Sequence, residues 1–526
     1  MEKKRQRIYL FCTVLLLAGC YLAYRLYTIQ VTHNYDWALK AVNQRSDGLA
    51  LYRQRGAIID CHGQPLTGRD HQAYLAVFPP LLTTEEKKAL APLLAAHHIR
   101  MDAHSPVTIA NPSAELLRFI NERPMAGVTF CTIPLRYGTR PLAHHLLGYV
   151  HPTTGEGIAG LEAMYDEILA SDRLVKLIMM ADAHQRPIPG LGWRYQEETI
   201  RRPARNLVLT LDFGLQRKVE TLLDEAGVTK GAVVLLEVGT GKIRALANRP
   251  VFNPYRPQLS LNDPDRSLQN RALAAYPPGG MWRLIIAAAG LERGLLHPDQ
   301  VFCDEAGTGP GFMTLTQAFA YGTRSVFQKT VSLLGAEPVL AIAGACGLGA
   351  ATLRFPGEET GFLPDWVGVD DSTAVVSDGE NITVTPVQIA VVLQVIAGGG
   401  DYYPPTVVEG IQQEDGAWSS LSPATETGRP VMAAATVAAL RKMLEATVLY
   451  GTGQKAQIQH EAAGVDGMVV SGYREGQAIY HSWFAGYAPA YAPRLVGVVL
   501  LEDDPGGAER AAALFASLME SCLSLL

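Results

Sequence analysis

The chain opens on Lys3, Lys4, Arg5 and Arg7, followed by seventeen uncharged and mostly apolar residues, Ile8 to Tyr24. Arg25 interrupts the run, and Leu26 and Tyr27 extend it past the charge. A stretch of this length is at the short end for a helix that crosses a bilayer. Continuing helix is predicted through Leu39. Residues 84–100 and 113–122 mix apolar and polar positions at helical spacing behind acidic starts, which predicts surface helices. Between Arg53 and Leu66 the pattern gives a short strand around Ile58-Ile59 that ends in a His62-Gly63 turn. A boundary is predicted near Pro203. Beyond it the period switches: Leu207–Asp212 reads as a strand, Phe213–Ala226 as a helix, and Gly231–Val238 and Lys242–Ala247 as a hairpin turned by Gly239-Thr240-Gly241. Leu284 to Gly290 is apolar on every side and predicts a buried helix. Thr385-Pro386 opens another helix that runs to Gly398, with Pro in its first turn and Gly at its end. Val431–Thr447 is an amphipathic helix. His481–Pro489 and Leu495–Leu501 are the last two strands of an antiparallel sheet, and Ala511–Leu526 is a covering helix.

Composition narrows the class. In 526 residues, 48% are hydrophobic and 18% charged, which suits a folded chain of two to four domains. A net charge of −6 and the lack of a basic stripe beyond the first residues give no nucleic-acid footprint. Seven cysteines are scattered without a Cys-x-x-Cys pair. No zinc or redox motif is therefore expected, and Cys346 in Ala-Gly-Ala-Cys-Gly reads as a packing residue. His144 and His145 are adjacent, so they do not share a face of a helix or strand, and no third ligand lies at useful spacing. No metal and no cofactor are expected. The basic flank of the first apolar run belongs in the cytoplasm, sending the remainder outside. Leu17-Ala18-Gly19-Cys20 also has the form of a bacterial lipoprotein cleavage site, although Tyr21-Leu22-Ala23-Tyr24 stays hydrophobic after the cysteine. Both readings place the chain on the outer face of a bacterial cytoplasmic membrane.

The turn Tyr276-Pro277-Pro278-Gly279-Gly280 delivers the chain to the buried helix, a place where backbone N–H groups can face an oxyanion. These words resemble the serine loop of the penicillin-binding-protein transpeptidases. Arg55-Gly-Ala-Ile-Ile-Asp60-Cys61-His62-Gly63-Gln-Pro-Leu66 is similar to the opening signature of the pedestal of the class B members, with Cys61-His62 where Arg-Asn is frequent. Arg136–Val150 and Gly160–Asp166 continue that likeness, and Thr385-Pro386-Val-Gln388 resembles a helix start of the transpeptidase domain. The resemblance spans about residues 20 to 520. It implies an α+β, serine β-lactamase-like transpeptidase fold, with an antiparallel sheet flanked by helices, an N-terminal anchor and an elongated β-rich pedestal. The implied division is 1–28 tail and anchor, 29–203 pedestal, and 204–526 transpeptidase-like domain.

The family's chemistry needs a Ser hydroxyl, a Lys to take its proton, a Ser-x-Asn element and a Lys-Thr-Gly strand. In register, Gly280 stands for the Ser and Arg283 for the Lys. In Ala318-Phe-Ala320-Tyr-Gly322-Thr323-Arg324-Ser325, Gly322 stands for the second Ser and Arg324 for the Asn. In Ala463-Gly464-Val465-Asp466-Gly467, Val465 stands for the Lys and Asp466 for the Thr, while Gly467 persists. Arginine stays charged and accepts no proton. The expectation is a membrane-anchored homologue in cell-wall assembly (division, elongation or sporulation) without catalytic residues. It would act as scaffold or regulator beside a polytopic peptidoglycan polymerase, with Arg283 or Arg324 pairing Asp466 in the cleft. Two alternatives stay open. One is a sensor that holds the carboxylate of a stem peptide on Arg283, Arg324, Asp466 and Gly467. The other is an active D,D-transpeptidase with Thr323 or Ser325 as a displaced nucleophile.

Overall fold

In this computed structural model the described residues are all except 1, 29–48, 98, 100, 102–105, 153, 180–192, 198–201, 304–310, 365–375, 378, 422–427 and 475. The helix expected beyond residue 28 lies outside them. The chain forms two compact units. One comprises Met1–Gln54, His71–Pro134 and Asp172–Arg202, the other Arg55–Asp70, Leu135–Ser171 and Pro203–Leu526. The sequence suggests a linear division at 203/204, whereas the compact units interleave.

The first unit begins with helix α1 (Glu2–Tyr27). Its segment Tyr9–Tyr27 has a mean hydropathy of 1.6 and none of it is buried, so it fits a membrane anchor. Thr83 opens α2 (Thr84–Ala95) through a capping box with Glu86, and Ser113 caps α3 (Ala114–Glu122). Both helices carry apolar stripes. Leu90, Leu94, Leu116 and Ile120 pack with Leu75, Val77 and Ile109 of a small sheet. That sheet contains β1 (Asp70–Val77), β2 (Val107–Ala110) and β3 (Val128–Leu135), in the order β2-β1-β3.

The second unit is built on five antiparallel strands: β4 (Gly231–Glu237), β5 (Ile243–Arg249), β6 (Ala463–Arg474), β7 (Gln477–Ala488) and β8 (Leu495–Asp504), in the order β5-β4-β8-β7-β6. Its helices include α4 (Phe213–Glu225), α5 (Arg283–Glu292), α6 (Leu315–Tyr321), α7 (Arg324–Leu334), α8 (Pro386–Ala397), α9 (Ala434–Leu449) and α10 (Gly507–Leu523). Alternation along the strands splits the core in two. Val233, Leu235, Val499 and Leu501 pack with Leu215 and Val219 of α4 and with Phe515 and Leu518 of α10. Val234, Leu236, Val498 and Leu500 face the opposite way, toward α5, α8 and α9. A sheet buried on both faces needs apolar residues at successive positions, which is why β4 and β8 read as unbroken hydrophobic runs. Thr385 caps α8 with Gln388 in a second capping box.

The three stretches quoted for the pedestal signature meet in this second unit. Glu162, fully buried, accepts from Arg55 Nε (2.6 Å) and Arg136 Nε (2.6 Å), while Arg55 Nη1 reaches Asp166 (2.7 Å). Gly56 and Gly148 are required by close backbone approach: a Cβ at either would lie 1.9 Å from a carbonyl oxygen, of Arg205 and Ala159 respectively. His144 and His145 are buried and lean on Phe252, with ring centroids 5.9 and 5.1 Å away. They are packing residues. Among the seven cysteines Cys131, Cys346 and Cys522 are buried, and all are free thiols.

Candidate functional site

The loop through Pro277 and Pro278 is held from the sheet side. Trp483 Nε1 donates to Pro277 O at 3.0 Å, and Tyr276 OH donates to Glu502 at 3.2 Å. Gly279 has φ +55°, and a Cβ there would sit 2.6 Å from Met468 O. The chain then makes a 3₁₀ turn over Gly279–Trp282 and enters α5, where Trp282 Nε1 donates to Val376 O (2.8 Å). Residues Arg283 to Gly290 are all buried. The turn-to-buried-helix reading of the sequence matches what is found.

Arg283 occupies the head of this helix, and its side chain is only 6% exposed. Nη2 donates to Asp466 Oδ1 at 2.6 Å, and Nη1 donates to Gly280 O (2.9 Å) and Asp466 O (3.1 Å). Nε is buried without a hydrogen-bond partner among the described residues. The guanidinium carbon lies 5.2 Å from the Phe319 ring centroid, so an aromatic face covers the charge. Asp466 also accepts a hydrogen bond from Thr452 Oγ1. Burial pushes its carboxyl up, but the Arg283 charge and the hydrogen bonds from Thr452 and Arg283 outweigh that and hold it below the usual carboxylate range.

Gly280 has no side chain, and a Cβ built on it would be 3.3 Å from Arg283 Nη1. The guanidinium thus sits beside the place from which a side chain at 280 would project. Gly322 ends α6 in the left-handed region at φ +68°, with the Arg283 guanidinium 3.8 Å from its Cβ position. Arg324 does not join Asp466. It lies at the start of α7, 57% exposed, and donates to Glu380 at 2.6 Å. Val465 is fully buried in the core opposite Ala485. Gly467 admits a close approach, but to the chain's own loop: its Cβ position is 2.4 Å from Pro278 O. A cleft of about 220 Å³ remains, lined by Gly280, Arg283, Gly322, Arg324, Ser377 and Met468 among others.

The hydroxyls singled out in the sequence are poorly placed for attack. Thr323 Oγ1 donates to the Met313 sulfur at 3.3 Å, and Ser325 Oγ is buried with no hydrogen-bond partner among the described residues. Thr323 stands at the N-cap position of α7, but its side chain makes no capping hydrogen bond. Sequence reasoning missed Thr452 and Glu380. Thr452 carried a signal, since Gly451-Thr452-Gly453 separates a helix from the strand that bears Asp466. Glu380 carried none.

A helix-flanked antiparallel sheet, with a loop entering a buried helix opposite an edge strand, is the frame of the penicillin-binding-protein transpeptidases. The family described as "Penicillin binding protein transpeptidase domain" matches residues 231–520. That is over half of the chain, which belongs to this family, in its class B branch. It is 27% identical over 408 residues to the penicillin-binding protein PbpB of Mycolicibacterium smegmatis, covering 70% of this chain and 60% of that one. It is 26% identical over 544 residues to the peptidoglycan D,D-transpeptidase FtsI of Escherichia coli K12, covering 95% and 88%. The chain therefore spans less than two thirds of PbpB and most of FtsI. Among solved structures, a peptidoglycan synthetase from Bifidobacterium adolescentis superposes with TM-score 0.64 at 20% identity, covering 91% of this chain and 97% of that one.

Proposed function

We propose that this chain is a membrane-anchored member of the family that takes part in peptidoglycan assembly without forming an acyl-enzyme. One observation carries the reading: the buried Arg283–Asp466 pair fills the place where nucleophile and proton acceptor would meet. An acylation step needs an oxygen or sulfur nucleophile and a group able to take its proton. Gly280 offers no atom for the first and Arg283 no basicity for the second. Of the degenerate positions, Gly280, Arg283, Gly322 and Asp466 then belong to a groove narrowed by the ion pair, with Arg324 exposed at its rim and Val465 in the core, and the work falls to the anchor and the pedestal. Docking to a polytopic peptidoglycan polymerase, with the 29–203 and 204–526 regions outside the cytoplasmic membrane, fits that division of labour. The family resemblance supports a place in division, elongation or sporulation. Incubating the purified chain with a fluorescent penicillin tests the reading. No covalent band at the mass of the chain is expected, and a stoichiometric, denaturation-resistant band overturns it.

Thr452 favours a second reading. Its exposed hydroxyl meets the Asp466 carboxylate, so a hydroxyl and an acid do stand beside the head of α5. A general base works best with a pKa near the working pH. The Arg283 pair moves Asp466 the wrong way, so the contact supports a structural hydrogen bond more than an activated nucleophile. If a penicillin band did appear, its loss in Thr452→Ala would assign it to this pair.

The sensor reading falls to Arg324. Arg283 is spent on Asp466, whereas the Arg324–Glu380 pair is exposed on both sides and open to competition by a carboxylate. Titrating muropeptides against the chain, with Arg324→Ala as control, decides it. The absence of saturable binding at millimolar ligand removes this reading.

A further inference from the structure

We propose that Cys61, His62 and Asp212 form a binding site for a zinc-class divalent cation on the second unit. The sequence carries no paired cysteines or spaced histidines and so announces no metal; here the third ligand is far along the chain. Cys61 Sγ lies 3.3 Å from His62 Nδ1, and His62 Nδ1 lies 3.2 Å from Asp212 Oδ2. The three ligand atoms all fall within 4.8 Å of one another. Tetrahedral zinc, with bonds of about 2.0 Å to nitrogen and oxygen and about 2.3 Å to sulfur, sets its ligand atoms roughly 3.2 to 3.5 Å apart. The two separations given match the edge lengths of such a tetrahedron.

Backbone pairing makes the arrangement rigid before any ion arrives. Ile58 and Ile59 run parallel to Leu207 and Val208, which carries the 60–62 turn to the residues before α4. Cys61 N donates to Leu211 O (2.9 Å), and Phe213 N donates to Asp60 Oδ2 (3.0 Å), so the two segments are clamped on both sides of the cluster. Asp60 Oδ1 accepts from the amides of His62 (2.9 Å) and Gln64 (2.6 Å), fixing the turn. Asp212 caps α4 with Oδ1, which accepts from Leu215 N at 2.8 Å, and this leaves Oδ2 facing the imidazole. The backbone of Cys61 and His62 is thus fixed by its amides, and the Asp212 carboxylate by its other oxygen, the kind of outer support a metal site uses.

Charge and access are consistent with a cation. Three carboxylates, of Asp60, Asp212 and Glu409, stand near the Cys61 thiol together with one guanidinium, of Arg244, which acts on it more strongly than any one of them. Arg244 is itself engaged by Glu237 and by Thr210 O. His62 is 65% exposed, which leaves an entry path and room for a water as fourth ligand. A bound dication would displace the thiol proton to solvent. Zinc here would pin the turn after the Ile58-Ile59 strand to the start of α4.

The test uses the full chain in detergent, stripped with chelator and freed of any histidine tag, titrated with Co²⁺ and then with Zn²⁺. One equivalent of Co²⁺ should give a thiolate-to-cobalt charge-transfer band and tetrahedral ligand-field bands, both lost on adding Zn²⁺. Cys61→Ser should abolish the charge-transfer band, and Cys303→Ser, at an exposed thiol elsewhere, should leave it unchanged. Asp212→Asn should weaken the metal by at least about 10-fold. Asparagine caps a helix as well as aspartate does, so that loss would not report a damaged α4. No thiolate band, or a band that survives in Cys61→Ser, overturns the proposal.

Discussion

At the scale of single residues, the cleft is decided by one ion pair. Arg283 is 6% and Asp466 15% exposed, so neither charge is well solvated and each depends on the other. Removing one partner of a buried pair leaves an uncompensated charge and costs about 3–5 kcal/mol, while replacing both with apolar residues can be neutral. Asp466→Ala should therefore lower the stability of the second unit by about that amount, and Arg283→Met with Asp466→Ala should recover most of it. The urea midpoint followed by fluorescence of Trp282 and Trp483, both buried beside the site, measures this. Equal losses in the single and double variants would mean that the pair is not the source. The direction of the Asp466 shift adds a pH signature. Its depressed carboxyl contributes stability fully above the ordinary value of 3.8, and the contribution fades as pH falls through the lower folded value. The pair was legible in the sequence only as an either-or. Two arginines and one aspartate are in view, and although the apolar run after Arg283 marks a buried helix, nothing along the chain places its guanidinium under Phe319 or turns Arg324 outward to Glu380.

Elements were more legible than contacts, for a physical reason. Period and capping are local: Thr385 with Gln388, the unbroken runs of β4 and β8, and the apolar α5 all announce themselves within a dozen or so residues. Partners distant in sequence do not. Gly467 illustrates the difference. A glycine inside a strand marks a close backbone approach without saying to what, and the Cβ position here is 2.4 Å from Pro278 O, so the space belongs to the loop that enters α5. Gly467→Ala must push β6 and this loop apart. It should destabilise the second unit by about 1–3 kcal/mol and break the Trp483 Nε1 to Pro277 contact. Gly280→Ala is the milder comparison, since its Cβ position meets no backbone atom and lies 3.3 Å from the Arg283 guanidinium, which need yield only a few tenths of an ångström. Unfolding curves of the two variants should differ clearly, and similar curves would refute the close-packing account.

At the scale of the whole molecule, the interleaving of the two units is what a linear reading cannot supply. Arg55, Arg136 and Glu162 look like separate motif fragments until they converge on one buried carboxylate, and a boundary drawn at a single position cannot describe a chain that enters the second unit three times. His144 and His145, on the second of those segments, are buried against Phe252, and they give the fold an acid weakness. Burial lowers both histidines from the ordinary 6.5 to about 4, with the His145 ring held 2.7 Å from Ser267 O. Between those two values the unfolded chain binds protons that the folded unit refuses. Stability therefore falls as pH drops from about 6.5 toward 4, by a few kcal/mol for the coupled pair. This window lies above the one in which Asp466 is lost, so the two effects separate. His481, also lowered by burial, adds a smaller slope in the same range. Replacing both adjacent histidines with glutamine removes the titrating groups while keeping an amide donor for Ser267 O. Urea midpoints at pH 7 and pH 5 should then differ much less than in the unaltered chain. An unchanged pH difference in that double variant would place the acid sensitivity elsewhere in the molecule.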